Sequence, residues 1–518
     1  MIKAAMGIYD DLANQTQPIF KVDVYSSNIL VFGGHTTGKT NFLKTLLVRM
    51  HENADLSLRQ EIYIMDFGGN LGKYEKLPLV SACFDSANEE NVRRIFKTLE
   101  NKIEQNSKIL KSERFLDVYG KGGDEQPTHL VLIIDNVNSF LADERYAAYQ
   151  ENLQKFCRDG LSKGLTVVFT AIDTSNGLGR YISNFAQRVA FEVPSELYLD
   201  IFGMRVAEPM KNQGRGVALV GGNPEEFQCF LPFGEEKDEF DAFVQEMSAK
   251  PFKTEKLKSF GEELTEDNLA EYCKDAKSDE KHILVGLDYY EHKPIEIFLD
   301  EARSIAIYGK KKFGKTNLVN RIVRTIRQFH RDYRFVFFDD GRKQLEGIWQ
   351  EAPAGDNNVY ITTVDELTDF LDSNGYAAKM MRGVVNKDFK EQKTPFTVFV
   401  LQNKMLFQSV GAQLLKSTFP KMIANAEEKG YIFIYSDVRK ISNNDRDTES
   451  SLNNTFSVAF LLDNIAEFVG DRGSRSVFGE MDAKELKNEY AHCELGDGYF
   501  YDIESDELKK LKFIKNKQ

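Results

Sequence analysis

Short apolar runs, mostly β-branched or aromatic, recur along this chain and alternate with longer stretches whose apolar residues return at helical spacing. Ile29-Leu30-Val31-Phe32 leads into an amphipathic stretch at 41–50, and Ile305-Ala306-Ile307-Tyr308 into one at 317–326. Other strand-like runs lie at 62–65, 130–134 and 165–169, then at 335–338, 396–401 and 431–434. Such alternation predicts an α/β fold, with mostly parallel sheets flanked by helices.

The second half of the pattern repeats the first. Gly7-Ile8-Tyr9-Asp10-Asp11 and then Pro18-Ile19-Phe20 precede the first long helix; Gly286-Leu287-Asp288-Tyr289-Tyr290 and then Pro294-Ile295-Glu296-Ile297 precede the second. Ile62-Tyr63-Ile64-Met65-Asp66-Phe67-Gly68 is echoed by Phe335-Val336-Phe337-Phe338-Asp339-Asp340-Gly341. The run after Gly164 is echoed after Gly430, Val189-Ala190-Phe191 by Val458-Ala459-Phe460, and Gly214-Arg215-Gly216 by Gly496-Asp497-Gly498. The order is kept throughout, so the chain is a tandem duplication. Two domains are expected at 1–247 and 282–518. The Lys- and Glu-rich stretch 248–281 between them reads as a linker with a short helix near 264–273.

The candidate chemistry sits between run and helix in both copies. Gly33-Gly34-His35-Thr36-Thr37-Gly38-Lys39-Thr40 and Gly309-Lys310-Lys311-Lys312-Phe313-Gly314-Lys315-Thr316 both fit GxxxxGK[ST]. In a strand–loop–helix context that pattern points backbone N–H groups and a helix N-terminus at phosphates. Lys39 and Lys315 would reach the terminal phosphates of ATP, and the Thr40 and Thr316 hydroxyls would ligate Mg²⁺. Asp135 closes the run Leu130-Val131-Leu132-Ile133-Ile134 and fits the metal-side carboxylate. Its neighbour is Asn136, which cannot take a proton from water. In the second copy Gln402 and Asn403 stand opposite Asp135 and Asn136, so both carboxylates are missing and hydrolysis there is not expected. Thr170 and Ser436 end matching runs and are either γ-phosphate sensors or simple strand caps. Arg158, Arg188 and Arg215 align with Ala424, Ser457 and Asp497 of the second copy, and are candidates for a finger serving a neighbouring site.

Composition narrows the field. The chain has 518 residues, 42% of them hydrophobic and 28% charged, which suits a core-forming protein of two or more domains. A net charge of -13 argues against a non-specific nucleic-acid binder. The late lysines Lys509, Lys510, Lys512, Lys515 and Lys517 are expected to be a solvated strand and tail. Five scattered cysteines without CxxC suit reduced thiols in the cytosol. No apolar run approaches the ~18 residues of a membrane span, and no signal-peptide pattern opens the chain.

The tandem loops, the Gly-x-Asp and Pro-apolar lead-in, the Asp135 strand and the closing Gly-Arg-Gly strand resemble the FtsK/SpoIIIE class of RecA-like P-loop ATPases. Within that class the whole chain is similar to the last two ATPase domains of the coupling proteins of type VII (ESX-like) secretion. The resemblance implies ATP and Mg²⁺ as cofactors, weak or no hydrolysis, and a membrane-anchored parent of which this is a cytoplasmic portion. It implies as partners small helical-hairpin (WXG-type) secreted proteins carrying a C-terminal signal, together with the parent's other ATPase domains and membrane part. It also admits a hexamer. A DNA translocase and a nucleotide-stabilised scaffold are the competing readings.

Overall fold

The computed structural model describes residues 3–339, apart from 12–13, 86–88, 122–125, 208, 235–238, 258–259 and 261–262. Beyond them it describes 342–351, 358–373, 396–402, 426, 430–437, 456–462, 493–502, 505 and 507–516. The chain forms two compact units, Met1–Ser259 and Phe260–Gln518.

In the first unit the strands are β1 (Lys3–Tyr9), β2 (Ile19–Asp23), β3 (Ile29–Phe32), β4 (Gln60–Asp66), β5 (Val80–Asp85), β6 (His129–Asp135), β7 (Leu165–Ala171), β8 (Gln187–Ala190), β9 (Arg215–Val220) and β10 (Asn223–Cys229). Its helices are α1 (Lys39–Glu52), α2 (Glu89–Leu110), α3 (Phe115–Tyr119), α4 (Val137–Ala142), α5 (Gln150–Asp159), α6 (Ser195–Phe202) and α7 (Glu239–Ser248). The sheet runs β2-β1-β10-β9-β8-β3-β7-β6-β4-β5. From β8 to β5 every pairing is parallel; from β8 outward through β9, β10, β1 and β2 every pairing is antiparallel. Strands covered on both faces bury every side chain, which is why the parallel ones read as unbroken apolar runs. On β3, Leu30 and Phe32 join one core with Tyr63, Leu132 and Phe169, while Ile29 and Val31 join another with α1 residues Phe42, Leu43 and Leu46.

The second unit has β11 (Leu264–Thr265), α8 (Leu269–Tyr272), β12 (His282–Asp288), β13 (Pro294–Phe298), β14 (Ser304–Gly309), α9 (Lys315–Phe329), β15 (Arg334–Phe338), α10 (Glu346–Gln350), β16 (Val359–Ile361), α11 (Val364–Ser373), β17 (Thr397–Gln402), β18 (Tyr431–Asp437), β19 (Val458–Leu462), β20 (Asp497–Asp502) and β21 (Glu507–Lys515). Its main path, β13-β12-β21-β20-β19-β14-β18-β17-β15-β16, repeats the first sheet strand for strand, with β11 added beside β21. Even an irregularity is repeated. The register of β1 on β2 shifts at Gly7, and that of β12 on β13 at Gly286. A Cβ on Gly7 would meet the Gln228 carbonyl oxygen at 2.2 Å, and one on Gly286 the Lys512 carbonyl oxygen at 2.3 Å. Only glycine fits so close an approach.

The stretch 248–281 holds a short helix, α8, where one is expected, and its described residues make specific contacts; the late lysines depart from their expectation. Within 248–281, Lys253 bridges to Arg59, the Leu257 N–H donates to Ser81, and Glu255 shares Lys102 with Glu61 on the first unit. Later in the same stretch, β11 and α8 pack into a cluster of the second unit with Leu284 and Ile514. The late lysines are not a solvated strand, because β21 is interior to its sheet. Lys512 is buried and pairs with buried Asp497 at 2.8 Å, and Lys510 is buried with its ammonium 4.2 Å from the centre of the Tyr289 ring. Lys509 and Lys515 pair with Glu507 and Glu263; Lys517 lies outside the described residues. Burial pushes the Asp497 carboxyl up, and Lys512 opposes the rise.

Two buried histidines couple the first unit to pH. His51 on α1 accepts the Leu79 N–H at Nε2 (3.0 Å), which leaves Nδ1 to donate to the Leu47 carbonyl at 2.7 Å. Burial pushes its pKa down to about 4, and that of His129 to about 3. An unfolded histidine takes up its proton near pH ~6.5, well before these rings do. Stability is therefore lost as pH falls from about 6.5 toward those values, by up to about 1.4 kcal/mol per pH unit for each ring. The denaturant midpoint of the first unit is expected to be lower at pH 5 than at pH 7. His51→Leu is expected to lower stability at pH 7 while flattening that slope, as followed by circular dichroism in urea.

Candidate nucleotide site

The first loop leaves the carboxyl end of β3, between β7 and β8, where crevices of parallel sheets open. Its backbone is fixed from both neighbours. The Gly33 N–H donates to Ala171, the Gly34 N–H to Glu192, and the Gly214 N–H to Thr37. Gly38 begins α1 at φ 126°, a conformation that favours glycine, and a Cβ there would meet the Gly214 backbone at 3.3 Å. Thr37 donates its hydroxyl to the Gly34 carbonyl, and His35 and Thr36 stand exposed at the tip. The Lys39 ammonium folds back to donate to the Gly33 and Gly34 carbonyls, each at 2.6 Å. Burial lowers its pKa and Asp135 opposes that.

The second loop repeats this geometry from different residues. Gly314 begins α9 at φ 97°, Lys312 has φ 70° where Thr36 has 61°, and the buried Lys315 donates to the Gly309 and Lys310 carbonyls at 2.7 and 2.8 Å. Lys311 and Lys312 are exposed, Phe313 is partly buried against the core, and Thr316 follows on the first turn of the helix.

Asp135 is buried at the end of β6. Its Oδ1 accepts the Thr170 hydroxyl at 2.5 Å, and the same hydroxyl accepts the Asn136 N–H at 2.7 Å. Asn136 takes a left-handed turn, φ 61°, and its amide donates to Ser139. Burial pushes the Asp135 carboxyl up. The Thr170 bond pulls it down, Asp66 raises it again, and Lys39 and the Thr40 hydroxyl favour the ionised form. Among the described residues its Oδ2 makes no hydrogen bond of ordinary geometry, with the Thr40 hydroxyl the nearby donor. A buried carboxylate oxygen near a threonine hydroxyl is a pair of oxygen donors of the kind that suits Mg²⁺.

The corresponding point in the second unit does not suit it. Asp66 pairs with Asp135 across β4 and β6, and Asp135 lies level with Thr170 on β7. In the second unit Gln402 on β17 pairs with Ser436 on β18, and Asp339 directly follows β15, whose Phe338 pairs with Leu401. Gln402 donates to Gln344 at 2.5 Å, and among the described residues its own carbonyl oxygen and the Ser436 hydroxyl have no partner. An amide stands here in place of the Asp135 carboxylate. Asn403 and Ala424 lie outside the described residues.

The arginine candidates separate. Arg188 is committed to the fold, donating to the Ile182, Phe185 and Ile201 carbonyls. Arg215 pairs with Glu226 and Asp10, and Arg158 pairs with Asp159 on the exposed surface. Sequence reading passed over Asp66 as a catalytic candidate. Its only signal was the Asp-x-Gly echo in the two copies; in the structure it is a buried acid level with Asp135.

Comparison with known proteins agrees with this geometry. Residues 8–190 match the FtsK/SpoIIIE family. The type VII secretion system protein EssC of Staphylococcus aureus is 24% identical over 239 residues, 45% of this chain but 16% of that protein. The solved structure of EssC (ATPases 2 and 3) from Geobacillus thermodenitrificans superposes with a TM-score of 0.73 at 19% identity, covering 99% of this chain and 96% of that one. EccC (ATPases 2 and 3) of Thermomonospora curvata, solved in complex with a signal sequence peptide, gives 0.64 at 16% identity over 100% and 93%. Among the described residues no helix is long and apolar enough to cross a membrane. Residues 8–190, within the first unit, thus match the FtsK/SpoIIIE family, and the whole chain shares the fold of ATPases 2 and 3 of EssC.

Proposed function

We propose that this chain is the nucleotide-binding, substrate-recognising part of a type VII secretion ATPase. The observation that carries the reading is the presence of two formed phosphate loops on a duplicated sheet whose fold covers ATPases 2 and 3 of EssC from end to end. In this reading the first unit binds Mg·ATP through Gly33 to Thr40 with Asp135 on the metal side. Asn136 beside it offers no base, so turnover in isolation is slow. The second unit binds nucleotide through Gly309 to Thr316 without a metal-side carboxylate, and occupancy there fixes a conformation instead of driving a cycle. A DNA translocase is the less supported reading. Two of the late lysines that would have offered phosphate contacts are buried, Lys512 against Asp497 and Lys510 on Tyr289.

Each loop lysine gives a charge-assisted phosphate contact, worth about 1.5–3 kcal/mol or roughly tenfold to a hundredfold in affinity. Calorimetric titration with Mg·ATP is expected to find two sites in the parent chain. Lys39→Ala and Lys315→Ala should each weaken one of them by that factor, with steady-state phosphate release low throughout. Unchanged binding in either variant would remove that loop from the reading.

The partner of the second unit is proposed to be the C-terminal signal of a small WXG-type secreted protein, an amphipathic segment that docks by its apolar face. A fluorescent peptide of that kind is expected to bind the full chain in the presence of nucleotide. Lys315→Ala should weaken the binding and Lys39→Ala should leave it, as read by fluorescence polarisation. The opposite ranking would move recognition to the first unit.

A further inference from the structure

The first unit holds a second buried acid beside Asp135. Asp66 ends β4 as Asp135 ends β6, and their Cα atoms face each other across the parallel pair. Their exposures are 4% and 2%. One oxygen of each is engaged, Asp66 Oδ2 by the Leu71 N–H at 2.6 Å and Asp135 Oδ1 by Thr170. The other oxygen of each, Asp66 Oδ1 and Asp135 Oδ2, has no partner among the described residues. Both look onto one space. The position a Cβ on Gly68 would take lies 2.5 Å from Asp135 Oδ2 and 3.7 Å from Asp66 Oδ1, and glycine keeps it open. Two unsatisfied carboxylate oxygens at one buried point are costly unless something positive comes between them. Lys39 is folded onto its own loop, and half-buried Lys44 acts on both acids through space.

The second unit supplies an internal comparison. Asp339 stands where Asp66 does, yet its Oδ2 accepts both the Leu345 N–H at 2.7 Å and the Tyr360 hydroxyl at 2.8 Å. Tyr360 pairs with Phe337 as Cys83 pairs with Ile64, so tyrosine occupies the place of Cys83. The Cys83 thiol turns to the Leu71 carbonyl instead. Where the acid at the Asp135 position is replaced by Gln402, the loop-bonded oxygen of its companion also takes a hydroxyl. Where Asp135 is present, that oxygen takes the Leu71 N–H and no tyrosine stands beside it.

We propose that Asp66 is a second magnesium-side carboxylate of the first nucleotide site, acting with Asp135 on the cation and its water shell. This rests on the reading that the first loop binds Mg·ATP. Hard divalent cations in such sites are held by one or two carboxylates together with water and phosphate oxygens. Asp66→Asn removes the charge and keeps an oxygen for the Leu71 N–H. Gly68→Ala leaves both acids and fills the space they share.

The test uses the full chain with Lys315→Ala, so that the first loop alone reports, and a fluorescent ATP analogue titrated with and without Mg²⁺. Asp66→Asn is expected to bind metal-free nucleotide within about twofold of the parent and to lose about tenfold of the Mg²⁺ enhancement, the size of one charge-assisted contact. Asp135→Asn and Gly68→Ala are expected to lose it as well. The proposal is overturned if Asp66→Asn keeps the parent's enhancement, or if Gly68→Ala keeps it should Asp66→Asn not fold. A parent that binds nucleotide without any Mg²⁺ enhancement also overturns it. A parent that binds no nucleotide overturns the reading of the loop itself.

Discussion

The structure depends on one steric requirement, that β3 and β14 be buried on both faces and hydrogen-bonded on both edges by parallel neighbours. A strand so enclosed cannot turn back in a hairpin. Its chain must leave through a crossover helix, and the helix must start where the strand stops. Glycines at 38 and 314 let that start occur within a few residues. The clustering of loop, lysine and the ends of the neighbouring strands follows from this connection, and the polar groups of the site inherit their positions from sheet register.

The two copies show what that register demands and what it leaves free. Buried apolar positions on matching strands are kept apolar in both, as packing at interior density requires. Polar positions at the strand ends are exchanged in sets. Asp135 and Thr170 become Gln402 and Ser436, and Arg215 beside Gln228 becomes Asp497 beside Lys512. Each exchange keeps polar groups facing other polar groups while changing the charge. Both units carry ion pairs in the antiparallel half of the sheet: Arg215 with Glu226 and Asp10 is partly exposed in the first, and Lys512 with Asp497 is buried in the second, where burial makes the pairing obligatory.

The apolar runs, the duplication and the strand–glycine loop–helix turns at 33–40 and 309–316 were legible in the sequence, because each is a local pattern with a fixed period or spacing. The alignment of Gln402 with Asp135 was legible too, since strand ends are countable from motif residues. Lys512 was not. Its burial depends on Asp497, fifteen residues away across a strand pairing that the lysine-rich composition conceals. Asp66 was seen only as part of an echo, because nothing in Asp-Phe-Gly says that one oxygen stays without a partner. Arg188 looked free to act at a distance, although three carbonyls claim it. In each of these cases the deciding partner lies on another element, or on a carbonyl that carries no side-chain identity.

The folded-back lysines have a consequence for how a loop of this kind fills and empties. Lys39 and Lys315 each rest on two carbonyls of their own loop. An arriving phosphate would offer the ammonium a new acceptor in exchange for an old one. Departure would reverse the swap, and the glycine backbone would never be left with its carbonyls bare and its cation unanchored. On the proposed reading the lysine would hold the loop's shape between visits, and exchange would call for a side-chain rotation instead of reassembly of the loop.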